Sequence, residues 1–411
     1  MPQKGFAAIL IIIPIVVILA VASFFIFSQK HISSSIPNFK NFTNSDAFMR
    51  HYGGSCQDRP VSFTASPMNI NQLGFIKSLG MVSDGHVTPI DHLYFLAIDQ
   101  NAADNTYPVF MPADGTVIQI QEMPAQYIGD RKDVKAATED HFIVISHSCR
   151  YFSIFIHIHK LAPALTAAAG SLKPEESKSV KVDLKAGEML GYIKTSYDWI
   201  PVDTQNTLSG FIHPQFYTSE PWKIHVFDPF TLFSGELKNS LLAKNLRNIE
   251  PRSGKIDYDQ PGKLIGNWFK EGSGGYAGPS GQEGKDPYWH GHLSVVPDYI
   301  DPNSTVMSTG DWDGVAKQFA VKGKVNPAEV NANSGMVKYE LLELMYLTGS
   351  GSGWSDQTGF ATGIHPSQDS NLIGTMALQV LPGEELKVEK FPGKTANQVA
   401  GFTEKAQIYE R

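Results

Sequence analysis

Three short segments carry the residue types that activate water or hold a metal. Gly85–Phe95 reads GHVTPIDHLYF and sets His86, Asp91 and His92 around a proline. Tyr151–His159 reads YFSIFIHIH. Strand alternation puts Phe152, Ile154, Ile156 and Ile158 on one apolar face, and Tyr151, Ser153, Phe155, His157 and His159 on the other. Trp222–Asp228, WKIHVFD, reads as a strand with Lys223, His225 and Phe227 on one face. Imidazoles and a carboxylate brought together are the ligand set of a catalytic zinc, which keeps one position open for water. A further histidine would orient or deprotonate that water. A fourth segment, Trp289-His290-Gly291-His292, puts two imidazoles on one strand face near Asp286, and reads as a polar rim.

These side chains need a β framework. With 36 Gly and 25 Pro among 411 residues, the chain favours turns and short strands over long helices. Hydrophobic residues make up 42%, enough for packed cores and against wholesale disorder. The net charge of −7, with no basic block, argues against nucleic acid as a partner. Strands are expected at 109–111, 116–121, 141–146, 151–159 and 188–193, with Pro112–Gly115 as a turn. Residues 162–181 read as a mobile flap or a short helix. The expected organisation is a membrane anchor or signal over 1–30, a polar tether over 31–60, a β-domain over 61–240 and a second β-rich domain over 250–411.

Phe6–Phe27 is an uncharged run long enough to cross a bilayer, at about 1.5 Å per residue. Ala20-Val21-Ala22 offers a signal-peptidase site, but Phe24–Phe27 prolongs the apolar run past it, which favours an uncleaved anchor. Either reading places the body outside the cytoplasm, anchored to the membrane or, in the lesser alternative, cleaved and secreted. There Cys56 and Cys149 are expected to pair as a disulfide rather than serve as a catalytic thiol.

The motif order over residues 80–230 resembles the lysostaphin-like (LytM-type) zinc metallopeptidases. VFMPADGTVI (109–118) is similar to that family's strand–turn–strand after its first motif. His141–His147 with Phe155-Ile156-His157 is similar to its central hairpin, VDLKAGEMLGYI (182–193) to its Gly turn, and Ile224-His225 to the end of its His-x-His. The resemblance implies a hybrid β-sandwich cutting cell-envelope (peptidoglycan) peptide bridges, with His86, Asp91 and His225 on zinc and His157 assisting. His86 and Asp91 stand five apart where the family has four, and His92 is an alternative ligand. Lys223 occupies the first histidine's place; it can stabilise an oxyanion but is a poor general base. His147 and His159 are secondary candidates for the missing imidazole. The alternative is a catalytically degenerate domain that binds wall polymer or a partner. A lipoyl-carrier-like reading of the same strands lacks the exposed lysine hairpin.

In the C-terminal region Gly266-Asn267-Trp268 resembles the opening of lipocalin-like barrels, with Arg411 able to close one end. The expectation there is a barrel or a sandwich. Its aromatic residues, among them Trp268, Trp312 and Trp354, read as core or as the lining of a small-apolar-ligand pocket.

Overall fold

The computed structural model describes residue 52 and residues 55–123, 139–278 and 287–411. Phe6–Phe27, the tether up to residue 51 and Asp286 lie outside these residues. Among the described residues no helix is long and apolar enough to cross a membrane, which says nothing of strands.

The protein is mainly β, as its turn-rich composition requires. The first half contains β1 (Leu73–Lys77), β2 (Leu93–Ala97), β3 (Tyr107–Phe110), β4 (Gly115–Glu122), β5 (His141–Ser146), β6 (Tyr151–Ile158), β7 (Lys160–Leu161), α1 (Pro163–Ala169), β8 (Ser177–Leu184), β9 (Met189–Ile193), β10 (Ser196–Asp203) and α2 (Gly235–Ala243). Residues 162–181 therefore begin as a short helix, started by Pro163 at its first turn and stopped by Gly170 at φ 65°, and run on into a strand.

Seven antiparallel strands form one sheet in the order β1-β2-β10-β6-β5-β4-β8, and β3-β9-β7 form a small second sheet. β10 lies between β2 and β6, so residues carried by those two distant segments meet across it. One face of this strand trio is aromatic core: Trp199 stands opposite Phe155 and stacks on it at 5.8 Å, and Tyr197 stacks on Phe95 at 5.2 Å. Asp198, between the two aromatics, necessarily points to the other face. Cys56 and Cys149 are bonded to each other, tying the segment before β1 to the β5–β6 turn.

The second half is a closed eight-stranded antiparallel barrel. Its strands are β11 (Gly266–Lys270), β12 (His292–Pro297), β13 (Thr305–Trp312), β14 (Val315–Val321), β15 (Val337–Glu343), β19 (Leu372–Leu381), β20 (Glu385–Pro392) and β21 (Gln407–Glu410), with β21 pairing back to β11. A three-stranded excursion, β16 (Tyr346–Leu347), β17 (Gly353–Trp354) and β18 (His365–Pro366), leaves between β15 and β19. Period-2 apolar positions such as Trp268, Leu293, Val295, Met307, Phe319 and Met376 fill the barrel core. The Trp268 indole donates to the Leu264 carbonyl at 2.8 Å, and the Arg411 guanidinium covers its ring at 4.0 Å. Arg411 is 1% exposed and is satisfied by the carbonyls of Gln260, Lys263 and Ile265 and by Glu384. The two halves belong to one compact unit.

Candidate functional site

The site sits on the face of the large sheet opposite the aromatic core. His157 reaches it through a break in register. Between His141↔Ile158 and Ile143↔Phe155, β6 advances three residues while β5 advances two, a β-bulge. Within the bulge His157 adopts φ 69°. Simple alternation would put His157 beside Tyr197 and Phe155; the bulge re-aims it to the Asp198 side. The expectation that His157 shares a face with Ser153 and Phe155 is thus corrected.

There His157 Nδ1 meets Asp140 Oδ2 at 2.9 Å and Nε2 meets Asp198 Oδ2 at 3.4 Å. Burial pulls the imidazolium down, but Asp198 and Asp140 outweigh burial and push its pKa up to about 10. Asp198 itself is 4% exposed; burial raises it, and the imidazoles of His92 and His157 more than reverse that, leaving it ionised. Tyr94, directly across from Asp198, has its phenol raised by burial and by that carboxylate.

His92 occupies the other side of Asp198. Its Nδ1 lies 3.2 Å from Asp91 Oδ1, and its Nε2 lies 3.2 Å from Asp198 Oδ2. Burial favours neutral Asp91, but Lys223 and then His92 overcome it and hold the carboxyl well below its usual range. Each ring nitrogen of His92 thus faces a carboxylate. Neither His92 Nε2 nor Asp198 Oδ1 has a hydrogen-bond partner among the described residues. His86 completes the group, its ring 5.6 Å from that of His92. Burial, helped by His92 and Lys223, lowers His86 to about 4, so at neutral pH its imidazole is uncharged and carries one nitrogen lone pair.

Two donors bound to one tetrahedral zinc at about 2.1 Å stand roughly 3.4 Å apart. His92 Nε2 and Asp198 Oδ2 meet that spacing, and Asp91 supplies the outer carboxylate that orients a ligating histidine. His86 stands off. Among the described residues no three His, Cys, Asp or Glu side chains are drawn together closely enough to hold an ion as they stand.

Lys223 is 3% exposed and sits 3.2 Å from Asp91 and 3.7 Å from Glu220, under the Tyr276 ring at 4.6 Å. The Trp222 indole donates to Asp91 Oδ2 at 2.9 Å. Trp222–Asp228 is not a strand: Lys223–His225 is a 3-10 turn. At three residues per turn, His225 points about 120° away from Lys223. Its Nδ1 donates to the Asn206 carbonyl at 2.8 Å, and Val226 bridges Val202, four residues along β10 from Asp198.

The remaining candidates lie elsewhere. His147 is fully buried, with Nδ1 bonded to the Asp114 carbonyl and Nε2 to Ser153 Oγ. Burial lowers it to about 4. His159 is lowered by burial, and its Nδ1 has no partner among the described residues. His290 lies on the turn Tyr288–Gly291 and His292 starts a strand, so the two do not share a strand face. Barrel residues pack against the segment that carries His86: a Cβ on Gly85 would lie 3.0 Å from the Trp289 ring, and the Gln318 side-chain amide accepts from the Asp84 N–H at 3.0 Å and donates to the Asp84 carbonyl at 2.9 Å.

Asp198 and Asp140 were not singled out from the sequence. The signal for Asp198 is its place on the strand that follows the Gly turn, where an acid stands between two buried aromatics, Tyr197 and Trp199. No family model, no curated protein and no solved structure matches this chain.

Proposed function

We propose that the protein is a zinc-dependent, lysostaphin-like hydrolase of cell-envelope peptide bridges, with His86, His92 and Asp198 as the metal-holding residues. This ligand set replaces the expected Asp91 and His225 by His92 and Asp198. One observation carries it: His92 Nε2 and Asp198 Oδ2, both buried, stand 3.2 Å apart, the spacing of two donors on one ion, and Nε2 has no hydrogen-bond partner among the described residues. A cation held by both would give Nε2 the partner it lacks. When bound, zinc would supply Lewis acidity and a positive charge that returns His157 towards neutrality.

The chain's own groups have distinct tasks. Asp91 holds the His92 tautomer, and Lys223 with Trp222 fixes Asp91. His157, held between Asp140 and Asp198, is placed to donate a proton to a leaving amine and to stabilise an oxyanion. The disulfide agrees with an extracytoplasmic body, anchored through residues 6–27.

A non-catalytic, wall-binding reading is favoured by one feature, the Lys223 ammonium already built in beside Asp91. Elemental analysis of the purified protein after zinc loading and dialysis separates the readings. The expected result is about one zinc per chain, lost in Asp198→Ala and kept in His225→Ala. New amino termini should be released from purified peptidoglycan, and His157→Ala should stop the release while keeping the metal. Wild-type protein that retains no zinc overturns the hydrolase. Retention on the wall polymer without release would then establish the binding module.

A further inference from the structure

A second concave site lies at the far end of the large sheet, independent of the histidine cluster. The segment around Cys56, held down by the disulfide, closes a cavity of about 270 Å3 against the ends of β4, β5 and β8. That is smaller than a pocket for a drug-sized ligand. The Arg59 guanidinium enters it, with Nε donating to the His147 carbonyl at 2.6 Å and Nη2 to the Asp114 carbonyl at 3.1 Å. Two carbonyl bonds fix the plane of the fork, and the Asp114 carboxylate, which the Arg59 charge helps to keep ionised, makes no ion-pair contact with it.

The carboxylates nearby have donors of their own. Asp114 takes Lys185 at 2.8 Å and the Ala186 amide at 3.0 Å, while Asp183 accepts from Thr116 Oγ1 at 2.5 Å. Lys181 also lines the cavity. Neither it nor Arg59 has a carboxylate partner among the described residues. Three cations therefore line the cavity against two carboxylates, in a chain whose net charge is −7. A guanidinium whose plane is fixed, in a cavity that an ammonium also lines, suits an oxyanion.

We propose that this cavity binds a small oxyanion, a carboxylate or a phosphate, through Arg59 and Lys181. The full chain is titrated calorimetrically with inorganic phosphate and, separately, with acetate, at fixed ionic strength made up with chloride. Saturable binding of at least one is expected, and the stronger of the two identifies the ligand chemistry. Arg59→Gln should weaken binding by about tenfold or more, and Lys181→Gln by a smaller factor. Lys181 is exposed, so its variant tests the site even if Arg59→Gln loosens the fold. Absence of saturation with both anions, or unchanged binding in Lys181→Gln together with a folded Arg59→Gln, overturns the proposal.

Discussion

His147, in the turn before β6, and His157, within β6, are held in opposite charge states. His147 is fully buried and His157 half-buried, which alone drives an imidazole towards neutrality. His147 meets a backbone carbonyl and a serine hydroxyl, in a chain running from the Trp199 indole through Ser153 Oγ, and stays neutral with its pKa near 4. His157 meets Asp140 and Asp198 and stays charged up to about pH 10. The partners decide the charge, and burial sets only the baseline. A single bulge brings His157 to its two carboxylates.

Removing the carboxylate should break the comparison most severely. Asp198→Asn leaves two imidazoles without their shared anion, and breaking a buried charge pair of this kind costs about 3 kcal/mol. Urea unfolding at pH 7 measures that loss, and the His157 titration followed by NMR should move down towards its ordinary value. On the neutral side, Ser153→Ala strands both the Trp199 N–H and the His147 Nε2 in the core, for about 2 kcal/mol in the same assay.

The pH dependence sharpens the contrast with the smallest effect. The folded pKa of His157 lies above its unfolded value, so its contribution is complete below about pH 6.5 and is lost as pH rises towards 10. The folded pKa of His147 lies below its unfolded value, so its contribution is complete above about pH 6.5 and is lost as pH falls towards 4. Asp140→Asn should cost about 1 kcal/mol at pH 7 and flatten only the alkaline limb of the stability profile. Thermal midpoints measured from pH 4 to pH 10 check both limbs. An Asp140→Asn profile that changes on the acid limb would break the assignment.

Local patterning made the framework legible. The expected strands at 116–121, 141–146 and 188–193 fall within one or two residues of β4, β5 and β9. Alternation along β12, β13 and β19 fills a barrel core in the half where a barrel or a sandwich was expected. Alternation failed where the backbone departed from a plain ladder. The bulge at His157 inverts its face, and the 3-10 turn at Lys223 parts it from His225; neither has a distinctive residue to announce it. Asp198 went unnoticed for a different reason. It is one acid on a buried strand, and its importance comes from lying between β2 and β6, an adjacency fixed by topology across about a hundred residues of chain. The three segments chosen for their chemistry do supply His86, Asp91, His92, His157 and Lys223 to one neighbourhood.

The Cys56–Cys149 bond also decides how the molecule would answer a mechanical pull. Tension applied to the chain before Cys56 enters the fold at the turn joining β5 and β6, two interior strands of the seven-stranded sheet. It bypasses β1, the edge strand that would otherwise be peeled away first. Force entering there would be spread over several hydrogen-bonded ladders at once, and reduction of one bond would redirect it to the weakest edge.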